Sequence, residues 1–193
     1  MTHPDNEETK IVYGIVEPRV VSTLYEFYIS GEIGAPEEYI HVFNQIRHAG
    51  EDDYVKIYLN SGGGDLFSAI QFLRVLSETR AVVTVSVEGM CCSAATLIFL
   101  AADRFEVTPH SVFMFHTYTS GVWGKGSDQF SQITHERKWS SALLGGVYEN
   151  FLTKEEIKEV LDGKDLWMDI HEIVVRMEAR IAKRIKDEES KET

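Results

Sequence analysis

Three residues of this chain have side chains that can act together in nucleophilic catalysis. Ser93 lies between an apolar run typical of a strand, residues 81–87, and an apolar run typical of a helix, residues 94–102. His116 closes another strand-like run, and Asp165 lies in a polar stretch before the last helical segment. A hydroxyl, an imidazole and a carboxylate can serve as nucleophile, base and orienting group. The three residues are therefore candidates for a catalytic triad.

The order of these residues along the chain argues against an α/β-hydrolase. It reads Ser, His, Asp, whereas the three best-known triads read Ser-Asp-His, His-Asp-Ser and Asp-His-Ser. The serine also lacks the Gly-x-Ser-x-Gly pattern of those enzymes. Cys91 and Ala95 stand where the two glycines would be.

A second segment can supply main-chain hydrogen-bond donors. Residues 54–59 alternate like a strand, and residues 60–65 contain three consecutive glycines before a helical segment begins. Consecutive glycines allow backbone amides to approach a ligand closely. We therefore predict a glycine turn in which the amide of Gly64 or Gly63, with that of Ala94, binds a tetrahedral oxyanion.

Each candidate also has a purely structural interpretation. The serine can be a helix N-cap, the histidine can be a core residue, and the glycines can form only a tight connection. Asp162 and Asp169 flank Asp165, and any of the three can complete the triad or simply cap a helix. Cys92 is another candidate nucleophile, although a small buried thiol is the common structural case.

Four blocks of the sequence, taken in order, resemble the ClpP family, the proteolytic subunits of Clp proteases. The blocks are residues 60–64 (NSGGG), 89–95 (GMCCSAA), 114–116 (MFH) and 165–168 (DLWM). The likeness extends from about residue 25 to residue 168. Position by position, it implies a nucleophile, a base, a third triad member and two oxyanion donors, which are Ser93, His116, Asp165, Gly64 and Ala94.

The resemblance also implies a fold and an assembly. The expected fold is α/β and ClpP/crotonase-like, with repeated ββα and βαβ units and a protruding long helix. The expected activity is that of a serine endopeptidase cleaving unfolded polypeptides or peptides inside a homo-oligomer of stacked heptameric rings. An AAA+ Clp ATPase unfoldase would supply the substrate. ATP would then be used by that partner, and this chain would need no cofactor.

Several positions depart from the usual residues of that family. Gly62 stands in place of a proline, and Cys91 and Cys92 stand in place of two alanines. A charged helical segment continues to Lys186, where the family usually enters a last strand. These departures indicate a divergent member, of bacterial or phage type.

Two rival functions fit the same patterns. One is a crotonase-fold acyl-CoA hydratase or isomerase, which would use paired amides on a thioester oxyanion without a serine nucleophile. The other is a non-catalytic ClpP-like ring subunit or a phage head-maturation subunit. Labelling of Ser93 by a serine-directed phosphonate separates both from an active peptidase.

The composition of the chain limits the number of domains and the classes of partner to be expected. The chain has 193 residues, of which 44% are hydrophobic, which suits one domain. We place that domain at residues 11–186, with loose termini at 1–10 and 187–193. The net charge of −12 argues against nucleic acid or an anionic membrane as a partner.

Other features of the sequence bear on membrane attachment, cellular location and metal binding. No apolar stretch reaches the roughly 20 residues that span a bilayer, so no membrane segment is expected. Two adjacent cysteines fit a reducing compartment, and we expect a cytoplasmic protein. The His-Glu pairs lack the second histidine of a zinc motif, so no metal is expected.

One long helix is predicted between residue 127 and about residue 150. Its candidate apolar face includes Phe130, Ile133, Leu143, Leu144 and Val147. In the ClpP family, a segment like this joins two rings, so the helix is a candidate for assembly.

Overall fold

A computed structural model describes residues 21–190 of the chain. The described residues form six strands, six α-helices and one short 3-10 helix. In chain order these are β1 (Leu24–Ile33), the 3-10 helix (Pro36–Tyr39), α1 (Ile40–His48), β2 (Tyr54–Gly64), α2 (Leu66–Glu78), β3 (Val82–Cys92), α3 (Ala94–Leu100), β4 (Arg104–Val107), β5 (Val112–Phe115), α4 (Gly126–Tyr148), α5 (Lys154–Leu161), β6 (Leu166–Met168) and α6 (Ile170–Glu189).

The strands form one mixed sheet organised around β3. Strands β1, β2 and β3 run parallel, and β3 then pairs in parallel with both β4 and β5. Strand β4 pairs along Thr84–Val87 and β5 along Met90–Cys92, so the two short strands share one edge of the long one. Strand β6 closes this edge, antiparallel to β5. The expected α/β class is confirmed.

The two central strands lead almost directly into helices. After β2, the Asp65 carboxylate accepts a hydrogen bond of 2.7 Å from the Ser68 amide and caps α2. After β3, helix α3 begins at Ala94, and all seven of its residues are buried. The centre of the core therefore lies immediately behind the junction that carries Ser93.

The glycine stretch differs from its predicted form, because it is not a turn. Strand β2 continues through Gly64, and Gly63 and Gly64 pair with Glu32 and Ile33 of β1 after a shift in register. This irregular part of the strand requires glycine. Gly63 and Gly64 take φ angles of +104° and +144°, which residues with a side chain rarely adopt. The strand predicted at residues 81–87 likewise ended too early, because pairing with β5 extends β3 to Cys92.

Helix α4 packs against the core only in its second half. Its buried residues are Ser140, Leu144 and Tyr148. Phe130 and Ile133 were predicted on its apolar face, but they are 74% and 49% exposed. The prediction was wrong for these two because helical periodicity shows which residues share a face, and it does not show whether anything covers that face.

The ends of the domain are only partly covered by the described residues. The predicted loose terminus at 1–10 lies outside them. At the other end, α6 continues through residues 187–189, which were predicted to be loose. The domain limits at 11–186 stay a prediction.

Two features are absent from the part of the chain that the structure describes, residues 21–190. Within that range, no helix combines the length and apolar character needed to cross a bilayer. In the same range, no group of three or more His, Cys, Asp or Glu side chains is placed to hold a metal ion.

Candidate active site

Ser93 has a strained backbone at the junction of β3 and α3. Its φ of 56° and ψ of −129° place a non-glycine residue in a conformation that costs on the order of 1–3 kcal/mol. The Ser93 amide donates a hydrogen bond of 2.9 Å to the carbonyl of Met114 on β5. Its side chain makes no capping hydrogen bond to α3, so the hydroxyl is free for another contact. The simple N-cap interpretation of Ser93 therefore does not describe this residue.

His116 lies next to Ser93 because β3 and β5 are neighbours. The pairing of Cys92 with Met114 brings the ends of the two strands together. His116 follows β5 directly, and its Nε2 is 2.6 Å from Ser93 Oγ. This is normal hydrogen-bond length, so the hydroxyl can donate to an unprotonated Nε2.

Asp165 lies on the other side of the imidazole. It precedes β6, and the pairing of Phe115 with Leu166 places it beside His116. Asp165 Oδ1 is 3.8 Å from His116 Nδ1, beyond hydrogen-bond length, and the aspartate side chain is 58% exposed. The structure thus brings together all three predicted residues, with the second contact looser than the first.

The two neighbouring aspartates have other surroundings. Asp162 is the C-cap residue of α5. Asp169 accepts a hydrogen bond of 3.0 Å from the amide of Glu172 and so begins α6. Of the three candidate carboxylates, Asp165 is the one in contact with the histidine.

The glycines of β2 pack directly against the serine. A Cβ atom added to Gly63 would lie 2.6 Å from the Cβ of Ser93 and 2.9 Å from the carbonyl of Cys92. One added to Gly64 would overlap the backbone of Ile33 on β1. Both positions therefore require glycine. The Gly63 amide donates to Ser61 Oγ at 3.1 Å, which favours Gly64 over Gly63 as an oxyanion donor.

A cavity of about 520 Å³ opens beside Ser93. Gly64, Ala94 and His116 lie on its wall with the serine. Its apolar wall includes the stacked rings of Phe67 and Trp139, whose centroids are 5.8 Å apart. A chain segment bound here would meet the hydroxyl, the imidazole and the predicted amide donors together.

Comparison with known proteins identifies the family. The family model described as Clp protease matches residues 28–176. The chain belongs to the Clp protease family. Among solved structures it is similar to ClpP1 from Listeria monocytogenes, in a mutant with aspartate in place of asparagine. The TM-score is 0.61 at 24% identity, and the match covers 78% of this chain and 86% of that one. The likeness shows the ClpP fold.

The cysteines of this Clp protease family member are poorly suited to act as nucleophiles. Cys91 and Cys92 are both buried and unpaired. Burial raises the pKa of the Cys91 thiol well above its ordinary value and also raises the pKa of Cys92. A raised pKa disfavours the thiolate, which is the reactive form. The structure therefore does not favour Cys92 as the nucleophile.

Two polar residues behind the site were missed by the sequence reasoning. Thr96 Oγ1 donates a hydrogen bond of 2.6 Å to the carbonyl of Ser93. The hydroxyl of Tyr148, at the end of α4, is 3.1 Å from Thr96 Oγ1. One feature of the sequence could have revealed Thr96: it is the single hydroxyl residue within the apolar run 94–102, three residues after the serine.

Proposed function

We propose that this chain is a serine endopeptidase that cleaves unfolded polypeptides or peptides. The observation that carries the proposal is the 2.6 Å contact between His116 Nε2 and Ser93 Oγ. It occurs at a strained residue on the wall of a cavity large enough for a peptide side chain. Membership of the Clp protease family supports peptidase chemistry over the acyl-CoA alternative.

The reaction follows from the positions of these side chains. Ser93 Oγ attacks the peptide carbonyl while His116 Nε2 takes the hydroxyl proton. The imidazolium then gives that proton to the departing amine, which leaves an acyl group on the serine. A water molecule, deprotonated by the same imidazole, attacks the acyl carbon, and the imidazolium returns the proton to Ser93 Oγ as the C–O bond breaks and the acid leaves. Asp165 orients the ring and stabilises its charged form.

The oxyanion formed in each step is held by main-chain donors. Ala94 is the first residue of α3, and the first amides of a helix have no partner within the helix. The Gly64 amide is the second donor, since the Gly63 amide is already donated to Ser61. Donors that are fixed before the reaction stabilise the developing charge without rearrangement.

The site is proposed to work inside a homo-oligomer of stacked heptameric rings. The loose Asp165 contact and the exposed first half of α4 both leave surfaces that assembly can complete. An AAA+ Clp ATPase unfoldase in the cytoplasm would supply unfolded chains and use the ATP. The peptidase subunit itself would then need neither a metal nor another cofactor.

One specific observation favours a second candidate function. The 3.8 Å separation of Asp165 from His116 also fits a non-catalytic ring subunit whose triad has lapsed. In such a subunit the serine would not react faster than an ordinary hydroxyl.

The deciding experiment is labelling with a fluorophosphonate followed by mass spectrometry. We expect the wild-type protein to be labelled at Ser93 and to cleave an unstructured polypeptide. Ser93→Ala should lose both, whereas the matched control Ser77→Ala, on the exposed side of α2, should lose neither. Wild-type protein that neither labels nor cleaves would contradict the proposal and support the non-catalytic alternative.

A further inference from the structure

The backbone of Ser93 is fixed on both sides by hydrogen bonds. On one side, the Ser93 amide donates to the carbonyl of Met114 at 2.9 Å. On the other side, the Ser93 carbonyl accepts two hydrogen bonds from Thr96, at 2.9 Å from the amide and 2.6 Å from Oγ1. A strained backbone persists only where its surroundings enforce it. Thr96 supplies two of these three restraints.

The direction of the next hydrogen bond follows from a count of protons. A carbonyl oxygen can only accept, so the single hydroxyl proton of Thr96 points at Ser93. The Tyr148 hydroxyl, 3.1 Å from Thr96 Oγ1, must then be the donor. The result is a chain of two donors running from Tyr148 through Thr96 to the Ser93 carbonyl, in which each hydrogen bond strengthens the next.

Tyr148 also contacts the strand that carries the base. Its ring meets Phe115 edge-on, with centroids 5.5 Å apart and an interplanar angle of 83°. Phe115 directly precedes His116, so one side chain touches the supports of both reacting groups. Tyr148 is 1% exposed and Thr96 is fully buried, so bulk water is not available to replace either hydroxyl. Burial also raises the pKa of Tyr148 to about 12, which keeps its proton in place.

We propose that Tyr148, acting through Thr96, is a positioning residue for the Ser93 nucleophile. The inference rests on the proposed peptidase function, in which the direction of Ser93 Oγ sets the rate of attack. Thr96 is not on the cavity wall, and Tyr148, which is on that wall, has its hydroxyl bonded to Thr96. They hold the Ser93 carbonyl, and thereby the backbone conformation that points Oγ at His116.

The first test compares Thr96→Val with Thr96→Ser. Valine keeps the shape of threonine and removes the hydroxyl, whereas serine keeps the hydroxyl. We expect Thr96→Val to lower kcat and the fluorophosphonate labelling rate about tenfold, as expected for the loss of one or two neutral hydrogen bonds. KM should stay unchanged because Thr96 does not line the cavity. Thr96→Ser should restore most of the rate.

The second test removes the phenolic hydroxyl with Tyr148→Phe. We expect a smaller fall in labelling rate, about threefold, because the Thr96 hydroxyl remains. The double variant should label no more slowly than Thr96→Val alone, since the two residues act in sequence. Tyr39→Phe is the matched control, because its hydroxyl accepts a hydrogen bond from the Gly34 amide and Tyr39 is not on the cavity wall. That control should label at the wild-type rate.

A third measurement is independent of catalysis. Hydrogen exchange at the Ser93 amide reports on the bond to Met114, and we expect it to be faster in both Thr96→Val and Tyr148→Phe than in Tyr39→Phe. Wild-type labelling together with unchanged rates in both variants would overturn the positioning role and leave the peptidase intact. If the wild type does not label, the peptidase fails, and unchanged exchange at Ser93 then overturns the positioning role separately.

Discussion

The two contacts of His116 differ in length and in what supports them. The contact of Nε2 with Ser93 Oγ is 2.6 Å and rests on β3 and β5, on which Cys91, Cys92, Phe113 and Phe115 are buried. The contact of Nδ1 with Asp165 is 3.8 Å and rests on the three-residue strand β6 at the edge of the sheet. The aspartate side chain is 58% exposed, against 24% for the histidine.

This difference indicates that the folded subunit itself fixes the contact between Ser93 and His116. The contact between Asp165 and His116 is left free to change. Parallel strands in the core fix the distance between nucleophile and base, because moving either one would break the packing behind it. An exposed loop before an edge strand has less to hold it, and low contact density is where local opening is easiest. We therefore expect substitutions near Ser93 to lower activity more than substitutions near Asp165.

The largest effect is expected from Gly63→Ala. Its Cβ would lie 2.6 Å from the Cβ of Ser93, at a φ of +104° that disfavours alanine. Displacing a nucleophile by about 1 Å can cost roughly 100-fold in rate, and we expect at least that loss in fluorophosphonate labelling. Gly62→Ala is the matched control, since its Cβ would meet only Met90 Sδ at 3.6 Å. Equal labelling of the two variants would refute the tight support of Ser93.

A smaller effect is expected from Asp165→Asn. We expect kcat/KM to fall about 100-fold, less than the roughly 10⁴-fold seen for a buried, hydrogen-bonded triad carboxylate. Asp162→Asn, in the same loop, should have no effect. The measurement should be repeated over a range of protein concentrations. A loss that grows as the protein associates would show that assembly tightens the Asp165 contact, and an effect equal to that of Asp162→Asn would remove Asp165 from the triad.

A moderate, pH-dependent effect is expected where α5 and α6 frame the Asp165 loop. Hydrogen bonds from Arg176 lower the pKa of Glu156 from 4.5 to about 2. A lowered folded-state pKa gives stability that is fully present above pH 4.5 and is lost as pH falls towards 2. Glu156→Gln should therefore lower the urea midpoint at pH 7, with a smaller difference at pH 3. Glutamine keeps the capping box with Thr153, so the variant isolates the charge.

The control for that measurement is Glu155→Gln in the same helix turn. Glu155 is exposed, and its replacement should leave the urea midpoint within experimental error at both pH values. If the difference in urea midpoint between wild type and Glu156→Gln is as large at pH 3 as at pH 7, the ion pair is not the source of the stability.

The smallest effect on folding is expected from Phe130→Ser on α4. The side chain is 74% exposed, so the urea midpoint of the isolated subunit should not fall. If this half of α4 joins rings, sedimentation should show a smaller assembly than the wild type forms. An unchanged assembly would place the ring contact elsewhere, and a fall in subunit stability would show that the phenylalanine is part of the core.

The Ser93 end of the site was the easier one to predict from sequence. Apolar strand runs followed by apolar helices place side chains at the carboxyl ends of parallel strands, where neighbours converge. Ser93 and His116 both occupy such ends, so local patterns were sufficient to pair them. Asp165 was also a candidate from its place before the last helical segment, but Asp162 and Asp169 stayed open as alternatives, because local patterns do not position a loop.

The remaining features depend on long-range contacts that no local pattern encodes. The glycines of β2 were predicted as a turn, because turns are where glycine is commonest, but pairing with β1 keeps them extended. Phe130 has the helical spacing of a core residue and yet has no core beside it. The bond from Tyr148 to Thr96 joins residues that lie far apart in the chain, so only the folded structure shows it.

Strand β3 pairs with both β4 and β5, and this double pairing restricts how the chain can vary in length. Strand β4 aligns with its first half and β5 with its second half, so residues 88–92 act as a fixed spacer between the β4 pairing and the serine. Inserting or deleting one residue there would reverse the faces of every side chain that follows in the strand. The turn between β4 and β5 is also tied to the long strand, because the buried Ser111 hydroxyl donates a hydrogen bond of 3.2 Å to the Val87 carbonyl of β3. Homologues should therefore scarcely differ in length within the spacer.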